Sequence, residues 1–459
     1  MNCDNFDRSQ EIFLSIAKMI EGLIGEAHIP GVSFGIYCNG EIDTASFGVT
    51  SVDNPLPVND DTLFQIGSIT KTFVALASMR LVEQGKLDLD VPVREYLPGL
   101  KLMDEEAASS ITMRHILTHT SGLKGDYFQN FGYGPEALQK MIESLSEVPQ
   151  LNTPGTSLAY CNSGFYIAGR VIEAISGVSF EDALASLVFK PLNLDNAFFF
   201  PEDVMIKRFA VGHEIKEDKP SVASPWGIGR GIHPAGGIVT NVKDLLKYAS
   251  FFLGNGFFNE QEVIKESSME KLTAESMKAS PALGMALGWF VEEIDGVKFI
   301  EHGGGTHGQI SFLIIAPELK FAAAILTNSY SGDAAIGAFT KSVMEGLLGL
   351  EIKTLSLSQK SPEELEEFVG LYEGELANLE LFVEEGKLFL KQIPLGGFPA
   401  PDSPAAPPSP PIEVAISAEG LPVMADRPYL SEAGEFFRDE SGNVTLLRVG
   451  LRNFKRKAQ

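Results

Sequence analysis

Ser68 and Lys71 stand three residues apart in Gly67-Ser68-Ile69-Thr70-Lys71-Thr72, ahead of a run through Phe73, Val74, Leu76, Met79, Leu81 and Val82 to Gly85. The run is apolar nearly all round, which predicts a buried helix beginning at Gly67. Residues three apart share a helix face, and the serine falls in the first turn, where exposed amides favour developing negative charge. A lysine on so apolar a helix is dehydrated, which favours its neutral, basic form. A hydroxyl beside a neutral amine is an activated nucleophile for attack on an acyl carbon. Ser-x-x-Lys by itself is common, and a capping serine next to an ordinary lysine would also produce it. The burial of an ammonium is what demands a reason.

Two further stretches carry polar groups at close spacing. Tyr160 and Asn162 lie two apart on a loop that leads into a helix with Ile167, Val171, Ile172 and Ile175 on its inner side. Glu301-His302-Gly303-Gly304-Gly305-Thr306-His307-Gly308 reads as a strand ending in a glycine-rich turn. Other patterns fail on context. Gly31-Val32-Ser33-Phe34-Gly35 has the spacing of a nucleophile elbow, but its serine lies inside a strand rather than between a strand and a helix. Gly303-x-Gly305-x-x-Gly308 runs into a strand, so dinucleotide binding fails, and Thr70 replaces the glycine a phosphate loop needs before its lysine. No carboxylate or cysteine is spaced to join His302 and His307 on a metal, and Cys161 has no base assigned to it. No cofactor or metal is expected. His119 reads as a hydrogen-bonded structural histidine.

These groups need a scaffold. A chain of 459 residues exceeds one core. The net charge of -25 argues against nucleic acid and anionic lipid and in favour of a solvated acidic surface. Cys3, Cys38 and Cys161 fit neither a disulfide framework nor a zinc spacing, which points to a reduced compartment. Ile12, Phe13, Ile16, Met19, Ile20, Leu23 and Ile24 form one face of a helix rather than a signal peptide, and no apolar stretch approaches the ~20 residues of a membrane span. A soluble cytoplasmic protein is expected. Strands are predicted over 32–37 and 41–48 around an Asn39-Gly40 turn, then over 288–293, 297–302, 309–316 and 320–327, with a helix over 334–348 and mostly helices and loops between 65 and 280. Strands at both ends with helices between imply one antiparallel sheet with a helical insertion. A polar linker over 353–362 leads to short runs at 379–383, 387–392, 412–416 and 444–449, a small antiparallel barrel or sandwich. The proline- and alanine-rich 398–411 reads as an extended surface loop.

With Ser68-x-x-Lys71, Tyr160-x-Asn162 and His302-Gly303-Gly304 in this order, residues 10 to 350 resemble the serine β-lactamase-like superfamily, which includes class C β-lactamases, D,D-peptidases, D-aminopeptidases and related esterases. Ile111 to Leu123 and Pro234 to Asp244 support the resemblance. The segment opening Phe368-Val-Gly-Leu-Tyr372 is similar to the lipocalin-like barrel often appended to such peptidases. The implied fold class is α+β, a helix-flanked antiparallel sheet over residues 1–352 followed by an antiparallel barrel over 363–459. The resemblance implies that Ser68 attacks while Lys71 accepts its proton, that Tyr160 relays protons to the leaving group, and that Asn162 bonds a substrate amide. The amides of Ser68 and Gly305 would form the oxyanion hole, where glycine at 305 lets the backbone approach the ligand closely, with Gly304 beside it on the substrate side. Class C β-lactamases have a lysine at the position of His302, so a neutral imidazole there puts β-lactam turnover in doubt, and a working His302 would give an activity inflection near ~6.5. The expected activity is cleavage of a small or short peptide substrate, including D-residue peptides. Ester, β-lactam or acyl-transfer chemistry at the same site is the alternative, and a non-catalytic binding homologue is the rival of another class. A homo-oligomer stays open.

Overall fold

The structure, a computed structural model, describes residues 6–38 and 40–458. The opening apolar stripe forms α1, Phe6–Glu26, whose Phe13, Ile16, Ile20 and Ile24 are buried against an eight-stranded antiparallel sheet. Two strands of that sheet, β1 (Gly31–Cys38) and β2 (Glu41–Gly48), come from the start of the chain. The other six are β3 (Met277–Lys278), β4 (Leu283–Met285), β5 (Phe290–Ile294), β6 (Val297–Thr306), β7 (Gln309–Ala316) and β8 (Phe321–Thr327). Their order is β2-β1-β8-β7-β6-β5-β4-β3. The α+β class and its helical insertion, expected from strands at both ends of the segment, are what forms.

β8 is central, and all seven of its residues are buried. Phe321, Ala323 and Ile325 belong to the core under α1, while Ala322, Ala324 and Leu326 belong to the core on the opposite face. A run apolar on both faces is the pattern of a strand covered on both sides. Within the insertion, α2 (Thr70–Glu83) is buried at eleven of its fourteen residues. Next to it run α3 (Asn162–Ser176) and α4 (Val242–Leu253), and Phe73 stacks on Tyr248 at 3.7 Å. A helix with almost no wet face is fixed by packing on every side, which makes it a rigid base for chemistry.

A second eight-stranded antiparallel sheet consists of β9 (Gly370–Glu373), β10 (Ala377–Glu384), β11 (Lys387–Pro394), β12 (Ile412–Ile416), β13 (Pro422–Met424), β14 (Glu435–Arg438), β15 (Val444–Val449) and β16 (Arg452–Arg456). Its order is β13-β12-β11-β10-β9-β16-β15-β14. Gly434 N, beside β14, donates to Pro422 O of β13 at 2.9 Å, so the two edge strands meet and the barrel is nearly closed. Tyr372, Leu379, Leu381, Leu388 and Leu447 fill it.

Several expectations change. The strand containing His302 does not end in a glycine-rich turn: β6 continues through Gly305 to Thr306, and the turn is His307-Gly308. The glycines serve close strand packing there rather than reversal. A 3₁₀ turn, Gly67–Ile69, precedes α2, and Asn162 heads α3 instead of lying on a loop. Residues 353–362 are tied to the barrel through Leu355, which is buried with Val423 and Ala433. Cys38 is disulfide-bonded, so the expectation that the cysteines form no disulfide does not hold for it. Spacing along the sequence was no guide, because disulfide geometry depends on distance in the fold. Asn39, half of the predicted hairpin turn, lies outside the described residues. No helix among the described residues is long and apolar enough to cross a membrane.

Candidate active site

Ser68 sits in the 3₁₀ turn before α2, and Lys71 occupies the first turn of the helix itself. The lysine side chain has no solvent exposure. Its Nζ donates to Ser68 Oγ at 3.0 Å and to Ala235 O at 2.6 Å, and it lies 5.0 Å from the centre of the Tyr160 ring. Burial drives its pKa well below that of a free lysine, and the charge of Arg452 pushes the same way. A dehydrated amine with one carbonyl acceptor and one hydroxyl partner rests in its neutral state. Tyr160 is half-buried beside it. Burial raises its phenol above the usual range, and a hydrogen bond with Ser68 opposes that rise in part. Serine, amine and phenol therefore converge, and one dry environment keeps the amine an acceptor and the phenol a donor.

β6 forms the opposite wall. Gly304 pairs with Ser311 and packs against the segment just before Ser68 so tightly that a Cβ on it would stand 1.9 Å from Ile66 O. Gly67, at φ 49°, meets Gly305 in the same way, with Gly305 N 2.6 Å from where its Cβ would be. Only glycine permits this approach, which brings β6 alongside the serine. Gly305 is exposed at the rim, and His302 is buried two residues beyond Gly304. His302 Nδ1 donates to Gly303 O at 2.5 Å, and its ring lies 5.1 Å from Phe290. Burial above all pulls its pKa down to about 3. The inflection expected near neutral pH has no physical basis, because a ring so enclosed stays neutral.

Tyr160 and Asn162 are held from several sides. His119 stacks on the Tyr160 ring at 4.3 Å, and its Nδ1 accepts from Cys161 N at 3.0 Å. That acceptor role fixes a neutral tautomer, in keeping with a pKa lowered by burial and by Lys71. Cys161 caps α3 through Sγ and Gly164 N, and burial lifts its thiol to about 11, as suits a packing residue. Asn162 Nδ2 donates to Asp126 Oδ1 at 2.8 Å. Asp126, 2% exposed, receives Arg452 Nε at 2.6 Å and Nη2 at 3.0 Å.

A cleft of about 460 Å³ opens over these groups. Ser68, Tyr160, Asn162, His302, Gly304 and Gly305 line it, with Lys71 beneath the floor. The remaining wall is mostly apolar and includes Phe128, Ile228, Ile232 and Phe290. Leu376, Phe398, Leu451 and Arg452 come from the C-terminal residues, and sequence reasoning missed all four. Phe398 opens the proline-rich stretch read as surface loop, yet it packs on Phe128 at 4.8 Å. The available signals were slight: a lone aromatic at the start of that stretch, and a basic run, Arg452 to Lys457, in an acidic chain. Among the described residues no group of three or more His, Cys, Asp or Glu side chains is placed to hold a metal.

Residues 16–340 match the family model described as Beta-lactamase. Penicillin-binding protein 4 of Amycolatopsis lactamdurans is 30% identical over 372 residues, which take in 78% of this chain and 97% of that protein. SurE superposes with a TM-score of 0.74 at 23% identity, over 98% of this chain and all of that one, and its structure with D-Leu gives 0.71 at 24% with the same coverage. The octameric penicillin-binding protein homologue from Pyrococcus abyssi gives 0.62 at 24%, over 96% of this chain and 99% of that one. At such identities the structural likenesses establish the fold alone.

Proposed function

Because this chain belongs to the β-lactamase family of hydrolases, we propose that it cleaves an amide or ester through an acyl-Ser68 intermediate. The observation that carries this reading is the fully buried Lys71 amine 3.0 Å from the Ser68 hydroxyl. Ser68 Oγ bonds to the acyl carbon as its proton passes to Lys71 Nζ. The oxyanion is met by the amides of Ser68 and Gly305, a reading supported by the tight Gly304–Ile66 and Gly67–Gly305 approaches. Tyr160, whose phenol is raised by desolvation and so is protonated at neutral pH, gives its proton to the leaving nitrogen or oxygen, and Lys71 returns one to it. Water then attacks the ester by the same path in reverse. Asn162, steadied by Asp126, orients the substrate amide.

The substrate class is a short peptide with an apolar residue at the scissile acyl group. Phe128, Ile228, Ile232 and Phe290 supply the matching wall. D-residue peptides are preferred on the strength of the relative named as a penicillin-binding protein and of the SurE structure with D-Leu. A neutral His302 gives no fixed positive charge at the place where a β-lactamase would hold the drug's carboxylate. Esters and acyl transfer to an amine or alcohol share the first half of the reaction and differ in what reaches the intermediate.

Labelling with a fluorophosphonate followed by mass spectrometry tests the reading. One adduct on Ser68, lost in Ser68→Ala, is expected. The absence of any adduct would leave a binding protein on a hydrolase scaffold. Paired D- and L-leucyl p-nitroanilides then decide the stereochemical preference.

A further inference from the structure

We infer that Arg452, reaching into the cleft from the C-terminal barrel, is a positioning residue for Tyr160 and Asn162, so that the hydrolytic site is incomplete without the barrel. The inference rests on the acyl-Ser68 reading. Arg452 begins β16 directly after the tight Gly450-Leu451 turn, where both residues have positive φ. Leu451 O accepts Tyr160 N at 3.0 Å, and its side chain is buried with Leu158 and Phe290 against Tyr160. Arg452 spans Asp126 with two nitrogens, at 2.6 and 3.0 Å, and its guanidinium lies 5.0 Å from the centre of the Tyr160 ring. The carboxylate it holds is the one that holds Asn162.

A second corner of the barrel grips the same loop. Glu375, between β9 and β10, accepts Gly125 N at 3.2 Å and Asp126 N at 2.5 Å, and Gly125 O accepts Asn162 N at 3.1 Å. The phenol's backbone, the asparagine's side chain and the loop beneath both are thus fastened from the barrel. A nearly buried carboxylate with only neutral donors would be costly, so Asp126 keeps its place only while a cation faces it. The same cation disfavours a charge on Lys71.

An ordinary bridge between packed parts of a chain would hold the barrel on and do nothing more. Arg448 is such a bridge: its Nη1 donates to Ala279 O at 3.2 Å, away from the catalytic groups. The test uses the full chain and the fluorophosphonate probe, with the limiting labelling rate and half-saturating probe concentration measured against pH. Arg452→Gln is expected to lower the limiting rate at least ~10-fold while half-saturation moves less than ~3-fold. Its acidic limb should also move to higher pH, because Lys71 is more readily charged once the neighbouring cation is gone. Arg452→Lys keeps a charge without the two-pronged grip. It should lose at least ~3-fold in rate with the limb of the parent protein. Arg448→Gln should lower the melting temperature and leave the rate alone. Parent rates and pH limbs in both Arg452 variants would overturn the inference, even with lowered melting temperatures. If only Arg452→Lys folds, its rate decides. A parent protein that takes no label at Ser68 would defeat the hydrolase reading itself, and the inference with it.

Discussion

Replacing Lys71 by methionine asks whether the proposed base is neutral in the folded protein, without recourse to any substrate. In the unfolded chain Lys71 holds its proton up to about pH 10.4. In the fold, burial pulls its pKa well below that of a free lysine. Between those two values the unfolded state carries one more proton, so stability rises with pH. One proton corresponds to about 1.4 kcal/mol for each pH unit between the folded value and about 10.4. A thioether in its place has no proton to lose. Urea unfolding of both proteins across that range should show the parent gaining on Lys71→Met at this rate. Ser68 Oγ and Ala235 O lose their partner in the variant, but that cost does not depend on pH and drops out of the slope. Other titrating groups, present in both proteins, cancel. The variant should also be the more stable one at the acidic end, since the parent must shed a proton to fold. A stability difference that stays flat with pH would mean that Lys71 is folded in as an ammonium, and the proposed proton transfer would fail with it.

Four further substitutions probe the walls of the cleft. Gly304→Ala places a methyl 1.9 Å from Ile66 O and should push β6 away from Ser68, lowering the labelling rate ~100-fold, whereas Gly303→Ala, whose methyl meets nothing closer than 3.8 Å, should label normally. His302→Gln should leave the pH–rate profile unchanged between about pH 5 and 8, because the ring, with a pKa of about 3, is neutral throughout. A lost inflection there would show that the ring titrates. For stability the sign is the usual one for a depressed histidine: its contribution is intact above about pH 6.5 and is lost as pH falls toward the folded value. Tyr160→Phe should slow acylation of amides by ~100-fold and leave Lys71 buried, with release of the leaving group followed by stopped-flow absorbance.

Ser68 and Lys71 could be read together because their relation is local: three residues on one helix face, on a helix too apolar for an ordinary lysine. Tyr160, Asn162 and the glycines of β6 needed the family pattern, since nothing along the chain says that residues 160 and 304 face residue 68. Six strands of the first sheet were legible from alternation and apolar runs, whereas the short β3 and β4 were not. In the barrel, β9, β13, β14 and β16 were not, being short and half exposed. Arg452 and Asp126 are 326 positions apart, and an arginine after a Gly-Leu turn has no feature that sets it off from any surface strand. Its part in the cleft exists only once the two sheets meet. The neutrality of His302 was equally hidden, because it follows from enclosure by Phe290 and the fold around it, not from its neighbours in sequence.

Val32 of β1 pairs with Thr327 of β8, and both β1 and β2 depend on that seam for their place in the sheet. During synthesis at about 5–20 residues per second, the first hairpin must wait about 15–60 s for the strand that anchors it. Throughout that interval β1, six of whose eight residues end up buried, offers an unpaired apolar edge to other nascent chains. Yield in a cell should therefore depend on translation speed and on chaperones that occupy the hairpin, and an amino-terminal fragment ending before residue 320 should aggregate rather than fold.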